Sequence, residues 1–152
     1  MRAVKIEHRI GVRASAEAIW DVLADIEAWP NWCSLYSQVA GAIRIGARLE
    51  LTVALAGQAP RQIRPVVVDW VPHEQLHWRL SMLGGLVRSI RYFEIEELAP
   101  GSCIFSNGEM FEGLLGARIA KRLRGPIQAG FREMGEALKA RVEKAADQAA
   151  AD

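Results

Sequence analysis

Along residues 103–111, Phe105, Asn107, Glu109 and Phe111 share one side of an alternating run, which sets an amide and a carboxyl among aromatic rings. Residues 86–97 and 103–112 form a hairpin around Ala99-Pro100-Gly101. A three-residue loop there sets Leu98 opposite Ser102, Phe93 opposite Asn107 and Arg91 opposite Glu109, and a five-residue loop keeps that pairing. A four-residue loop slips the register and turns Ile104, Ser106 and Met110 toward the Phe93 face. In the first register, Arg91 and Glu109 make a charged pair on a cavity wall, and Asn107 orients the polar end of a bound molecule. A solvated pair on the outer face is the alternative. Tyr92 and His8 complete the acid–base candidates, although His8 lies on an apolar strand face and reads first as a core histidine.

Other chemistries find less support. His73 and His77 stand four apart with Glu74 between them, a spacing that binds zinc on a helix. Pro72 and the alternation after it place them on a turn and a strand, about 13 Å apart when extended, so no metal site is expected. There is no Gly-x-Ser-x-Gly elbow and no glycine-rich phosphate loop, and Gly84-Gly85 lacks the spacing of a dinucleotide fingerprint. No cofactor is called for. Arg118, Lys121, Arg122 and Arg124 crowd one segment, where an anionic ligand head, a membrane surface or an acidic partner could meet them. A solvated helix face is the plainer account.

The elements that position these groups follow from periodicity. Val4, Ile6, His8, Ile10 and Val12 face one way along a first strand. Ser15 can cap a helix carrying Ile19, Trp20, Val22, Leu23 and Ile26, which Pro30 ends at Trp29. A short second helix or turn follows at Asn31-Trp32-Cys33-Ser34. Strands are expected at 48–55, 61–70 and 75–83, with turns at Gly57 to Pro60 and at Val71-Pro72-His73-Glu74. After Gly113 the period lengthens: Leu123, Ile127, Phe131, Met134, Leu138 and Val142 form one helical stripe. Some 30 residues of helix span about 45 Å. Gly125-Pro126 is expected to kink or break it, and the tail from Ala145 to fray.

The 152 residues are 51% hydrophobic and 24% charged with net charge +1, which suits one globular domain. The balance gives no electrostatic footprint for nucleic acid. No apolar stretch nears the roughly 20 residues of a membrane span, and a cytoplasmic protein with reduced Cys33 and Cys103 is the simplest reading.

The sequence resembles the START-related superfamily with the helix-grip fold, which includes polyketide cyclase/dehydrase-like proteins and plant pollen-allergen-like carriers. The resemblance rests on the opening strand running into the stretch from Ala14 to Asp25, and on Trp29-Pro30-Asn31-Trp32. Val68-Asp69-Trp70-Val71-Pro72 with Leu76-His77-Trp78, and Phe111-Glu112-Gly113, extend it over nearly the whole chain. It implies an α+β fold: a curved antiparallel sheet of about seven strands around a long C-terminal helix, with two short helices after the first strand. It implies a single ligand-binding domain over 1–146 with a frayed tail at 147–152.

A twisted sheet cannot touch a straight rod along its whole length, so space is expected between them. Leu51, Val53, Trp78, Leu80, Phe93 and Phe105 should face that space, opposed by Ile127, Phe131 and Met134; ordinary core packing is the competing account for each of them. The expected partner is a hydrophobic or amphipathic small molecule. Two readings follow, a carrier without chemistry and an enzyme of the aromatase/cyclase type. An apolar pocket with one polar mouth supports the carrier, whereas two or more inward acid–base groups support the enzyme.

Overall fold

The computed structural model describes residues 3–151. Residues 1, 2 and 152, the outer ends of the expected domain and tail, lie outside the described residues. The alternating run at the start is strand β1 (Val4–Val12). Ser15 then holds extended geometry and accepts a hydrogen bond from the Ala18 amide at 3.1 Å, capping helix α1 (Ala16–Ala24) as expected. The helix stops five residues earlier than Pro30 suggests. Asp25 leaves helical geometry (ψ 70°), and the Trp29 indole N–H folds back to the free Leu23 carbonyl at 3.0 Å. Pro30 sits inside a 3-10 turn (Ile26–Asn31), whose φ its ring tolerates.

Eight strands follow the sheet logic rather than seven. They are β1, β2 (Tyr36–Ala40), β3 (Glu50–Val53), β4 (Arg61–Ile63), β5 (Val66–Val71), β6 (Gln75–Met82), β7 (Val87–Ala99) and β8 (Ser102–Glu112). The run expected as one strand over 61–70 divides at Arg64-Pro65, because proline has no N–H for the ladder. Its two halves join different sheets: β2-β3-β4, and β1-β8-β7-β6-β5. Every neighbouring pair is antiparallel. The sheets stay connected, since the Leu49 amide bonds the Pro65 carbonyl at 2.9 Å and the Val67 amide the Ala47 carbonyl at 2.9 Å.

The hairpin register is the one that pairs Phe93 with Asn107 and Arg91 with Glu109. It is reached by a route the loop-length argument did not contain. Pro100 and Gly101 alone form the turn, Gly101 at φ +77°, and Ala99 rather than Leu98 faces Ser102. A bulge at Leu98 absorbs the odd residue and restores the pairing.

The last element is α2 (Gly116–Ala151), 36 residues and about 54 Å long at 1.5 Å per residue. Pro126 lies inside it without ending it. The one backbone bond it forfeits belongs to the carbonyl of Arg122, an exposed residue. No described residue beyond Val142 is fully buried, yet the helix continues to Ala151. It lies across the inner face of β1, β8 and β7. No helix among the described residues is long and apolar enough to cross a membrane.

Candidate functional site

Between the sheets and the first half of α2 lies a cavity of about 160 Å³, open to solvent on one side. Inward alternation on β6 brings Trp78, Leu80 and Met82 to its wall, β3 brings Val53, and Ile119, Leu123, Ile127 and Phe131 descend from α2. Gln58, Ala59 and Arg61, from the β3–β4 connection and the start of β4, are exposed and form its rim. The void lies between two close approaches of α2, one at its start, where a Cβ on Gly116 would stand 3.3 Å from the Phe111 backbone, and one further along. A Cβ on Gly135 would stand 2.8 Å from the His8 ring, and one on Gly130 2.9 Å from Leu35. Before Gly130 the helix presents larger side chains, and these remain half-buried at Ile119 and Leu123.

The inner end is polar. Arg91 is 1% exposed. Its Nε donates to the Tyr36 hydroxyl at 2.9 Å, Nη2 to Asn107 Oδ1 at 2.9 Å, and Nη1 to the Gly108 carbonyl at 3.0 Å. Its guanidinium carbon lies 3.9 Å from the Phe131 ring centre and 4.2 Å from that of Phe93, a cation held between two π faces. Glu109 stands directly opposite across the hairpin and also lines the cavity. The two groups face one space but form no salt bridge, because Tyr36 and Asn107 hold the guanidinium aside. Burial pushes the Glu109 carboxyl above its ordinary range, and the nearby Arg91 and Ser89 offset only part of this. The Ser89 hydroxyl lies beside that carboxyl but falls short of a formed hydrogen bond. Tyr36, whose oxygen already accepts from Arg91, has its own O–H to direct elsewhere. Burial pushes its pKa up to about 12, so it remains a donor at neutral pH.

Of the twelve residues that sequence reasoning placed here, Val53, Trp78, Leu80, Arg91, Glu109, Ile127 and Phe131 line the cavity. Leu51, Phe93, Phe105, Asn107 and Met134 do not; all are buried in the surrounding core. Phe93 is drawn into a ring cluster with Trp29 and Trp78, centroids 5.3 and 5.2 Å away. Asn107 has no free polar atom for a ligand, since its Nδ2 donates to the Phe131 carbonyl at 3.2 Å while Oδ1 holds Arg91. It ties β8 to α2 and fixes the guanidinium. Met134 likewise stands behind Arg91, its sulfur 3.6 Å from Nη2.

Tyr92 points to the opposite face of β7 and donates to Glu7. His8 packs beneath α2, its Nδ1 without a partner, and burial together with Arg132 lowers its pKa. Neither borders the cavity. His73 occupies a turn at φ +70°, and His77 bonds Glu94 at 3.0 Å. Tyr36 was missed for want of any signal, lying between a tryptophan-rich turn and a glycine break. Ile119 was within reach, because 119, 123 and 127 step by four.

The comparisons with known proteins agree with this architecture. A Streptomyces sp. R1128 aromatase/cyclase, Zhui, superposes with a TM-score of 0.77 at 16% identity, over 94% of this chain and 95% of that one. A START superfamily protein from Mycobacterium smegmatis gives 0.71 at 23%, covering 92% and 97%. Norcoclaurine synthase from Thalictrum flavum, in complex with a transition-state analogue, gives 0.72 at 17%, covering 94% and 96%. At these identities the likeness is one of fold. No curated protein matches the sequence at a significant level. The sequence itself matches a family described as polyketide cyclase / dehydrase and lipid transport from residue 3 to residue 151, and the chain therefore belongs to that family.

Proposed function

We propose that the protein binds a hydrophobic small molecule between its sheets and α2, with an oxygen-bearing end of the guest at Tyr36 and Glu109. The observation that carries this reading is the cavity itself, apolar along its walls and polar at one closed end. Its volume of about 160 Å³ resembles that of an engineered cavity of about 150 Å³ that holds benzene. A guest buries about one substituted ring there and extends through the rim at Gln58 and Arg61. The Tyr36 O–H donates to a carbonyl or hydroxyl oxygen, and the Glu109 carboxyl, whose pKa burial raises, lines the cavity with it. The binding unit is residues 1–146, because the end of α2 contributes nothing to the wall. Two free, buried thiols, Cys33 and Cys103, suit a cytoplasmic setting.

Native mass spectrometry of the protein as expressed, followed by extraction of bound organics, tests this. A recovered apolar guest, displaced in the Leu123→Trp variant, is the expected result. No guest, and no binding across a panel of flavonoids, fatty acids and sterols, would refute it.

Glu109 favours a second reading, in which the bound guest is also a substrate. A carboxylate there can take a proton from a carbon next to a carbonyl while Tyr36 and Arg91 favour the enolate oxygen, and the proton then returns from the same carboxyl. Deuterium exchange into a bound ketone, lost in Glu109→Gln with binding retained, is the result this reading requires.

A further inference from the structure

One end of the molecule combines protruding leucines with unpaired cations. The connection from β6 to β7 carries Leu83 at φ +54°, Gly84 at +65° and Gly85 at +92°. A leucine in left-handed geometry is strained, and this one is 59% exposed. The loop is tied to the start of α2, since the Leu86 amide bonds the Leu83 carbonyl and the Leu115 amide the Leu86 carbonyl at 2.9 Å. Leu86 and Leu114 there are 41% and 73% exposed. Met82 and Ile119, on either side of this junction, line the cavity.

The adjoining helix is charged against its own stability. Residues 113–132 contain Arg118, Lys121, Arg122, Arg124 and Arg132 and no acidic residue, in a chain of net charge +1. Four of these cations crowd the N-terminal turns, where the helix dipole favours the opposite sign. Arg118, Lys121 and Arg122 share one helix face, are exposed, and join no ion pair among the described residues.

We infer that this end docks on the surface of an anionic lipid bilayer, with Leu83, Leu86 and Leu114 entering the interface and Arg118, Lys121 and Arg122 meeting the headgroups. Apolar tips flanked by cations match a headgroup layer over hydrocarbon. The leucines protrude singly from a loop and a helix start, outside the walls of the cavity, a form that suits insertion into a bilayer better than seating on a soluble acidic protein. Docking in this orientation brings the loop and helix start next to Met82 and Ile119, two residues of the cavity wall, to the lipid.

Flotation of the full chain with phosphatidylcholine vesicles, with and without phosphatidylglycerol, tests the inference without reference to any guest. Binding is expected only to the anionic vesicles and should weaken as salt rises. Each cation near such a surface contributes about fivefold, so R118Q/K121Q/R122Q should bind on the order of a hundredfold more weakly. Leu83→Asn with Leu114→Ser should lose at least about tenfold, asparagine being at ease in the left-handed geometry. Arg79→Gln, on the outer face of β6, should change nothing. Unaltered unfolding midpoints establish that each variant is folded. Equal binding to both vesicle types, undiminished binding of the leucine variant, or a preference for soluble polyglutamate over vesicles would overturn the inference.

Discussion

Replacing Asn107 separates a residue that holds the site from one that touches its guest. In the folded protein the amide spends both ends internally, accepting from Arg91 at 2.9 Å and donating to the Phe131 carbonyl at 3.2 Å, at a position with no exposure. Asn107→Leu keeps the bulk and removes both bonds. The buried guanidinium then loses one charge-assisted partner, a loss of about 1.5–3 kcal/mol. The Phe131 carbonyl retains its helical bond within α2, so its share is smaller, about 0.5–1 kcal/mol. The sum is about 2–4 kcal/mol, a sizeable part of a domain's usual 5–15 kcal/mol or so. Urea unfolding reads it directly: with a slope of about 1–3 kcal/mol per molar, the midpoint should fall by about 1–3 M. Guest binding, measured by native mass spectrometry well below that midpoint, should survive in weakened form because Arg91 is loosened. A midpoint within about 0.3 M of the original, with guest binding abolished, would refute the reasoning and make Asn107 a ligand contact.

Three further perturbations test other parts of the same account. Because the folded pKa of Glu109 lies above its ordinary 4.5, the folded state keeps a proton that the unfolded chain releases, and stability falls as pH rises from about 4.5 through the raised value. Glu109→Gln should therefore gain stability over the parent at neutral pH, with the gap closing below the ordinary value; equal pH profiles in thermal melts would refute the burial argument. Leu123→Trp places an indole in the cavity and should exclude guests while leaving the fold intact or steadier by about 1 kcal/mol; undiminished guest binding would show that the guest sits elsewhere. Amide exchange should be fast from residue 146 to residue 151, beyond the last fully buried residue of α2, and slow from 127 to 142. Uniform protection to Ala151 would rule out a frayed tail.

Periodicity made much of this fold legible. The alternation of Val4 to Val12, the Ser15 cap and the stripe from Leu123 to Val142 are local patterns, and each became the expected element. The proline rules were less reliable, because they describe a penalty and not its repayment. Pro30 and Pro126 both lie within helical turns, one suited to 3-10 geometry and the other forfeiting a single bond on an exposed face. The hairpin register came out right through an unforeseen two-residue turn and bulge, since burial of the Phe93 and Phe105 face outweighs the local loop preference. Within the site, alternation could tell inside from outside and could not tell wall from core. Leu51 and Val53 share one strand face, yet only Val53 reaches the void. That difference is set by how far α2 stands off at each point, a distance between elements remote in sequence.

The cavity and its buried charge depend on each other. Arg91 could not be accommodated by tight apolar packing, because a guanidinium without acceptors is far more costly than the void beside it. Its acceptors come from four places, Tyr36 on β2, the Tyr92 carbonyl on β7, Asn107 and the Gly108 carbonyl on β8, and its faces are covered by Phe93 and Phe131. These groups form a strut under α2, touching it at Phe131 and Met134 within the Gly130–Gly135 contact. Beyond the strut the helix cannot settle onto the sheet without displacing the guanidinium from its acceptors. Filling the void with apolar side chains leaves the strut in place, whereas removing the strut lets the helix sink. Loss of guest binding in Leu123→Trp and loss of stability in Asn107→Leu are thus opposite consequences of one arrangement, and a protein in which both changes merely destabilised the fold would lack it.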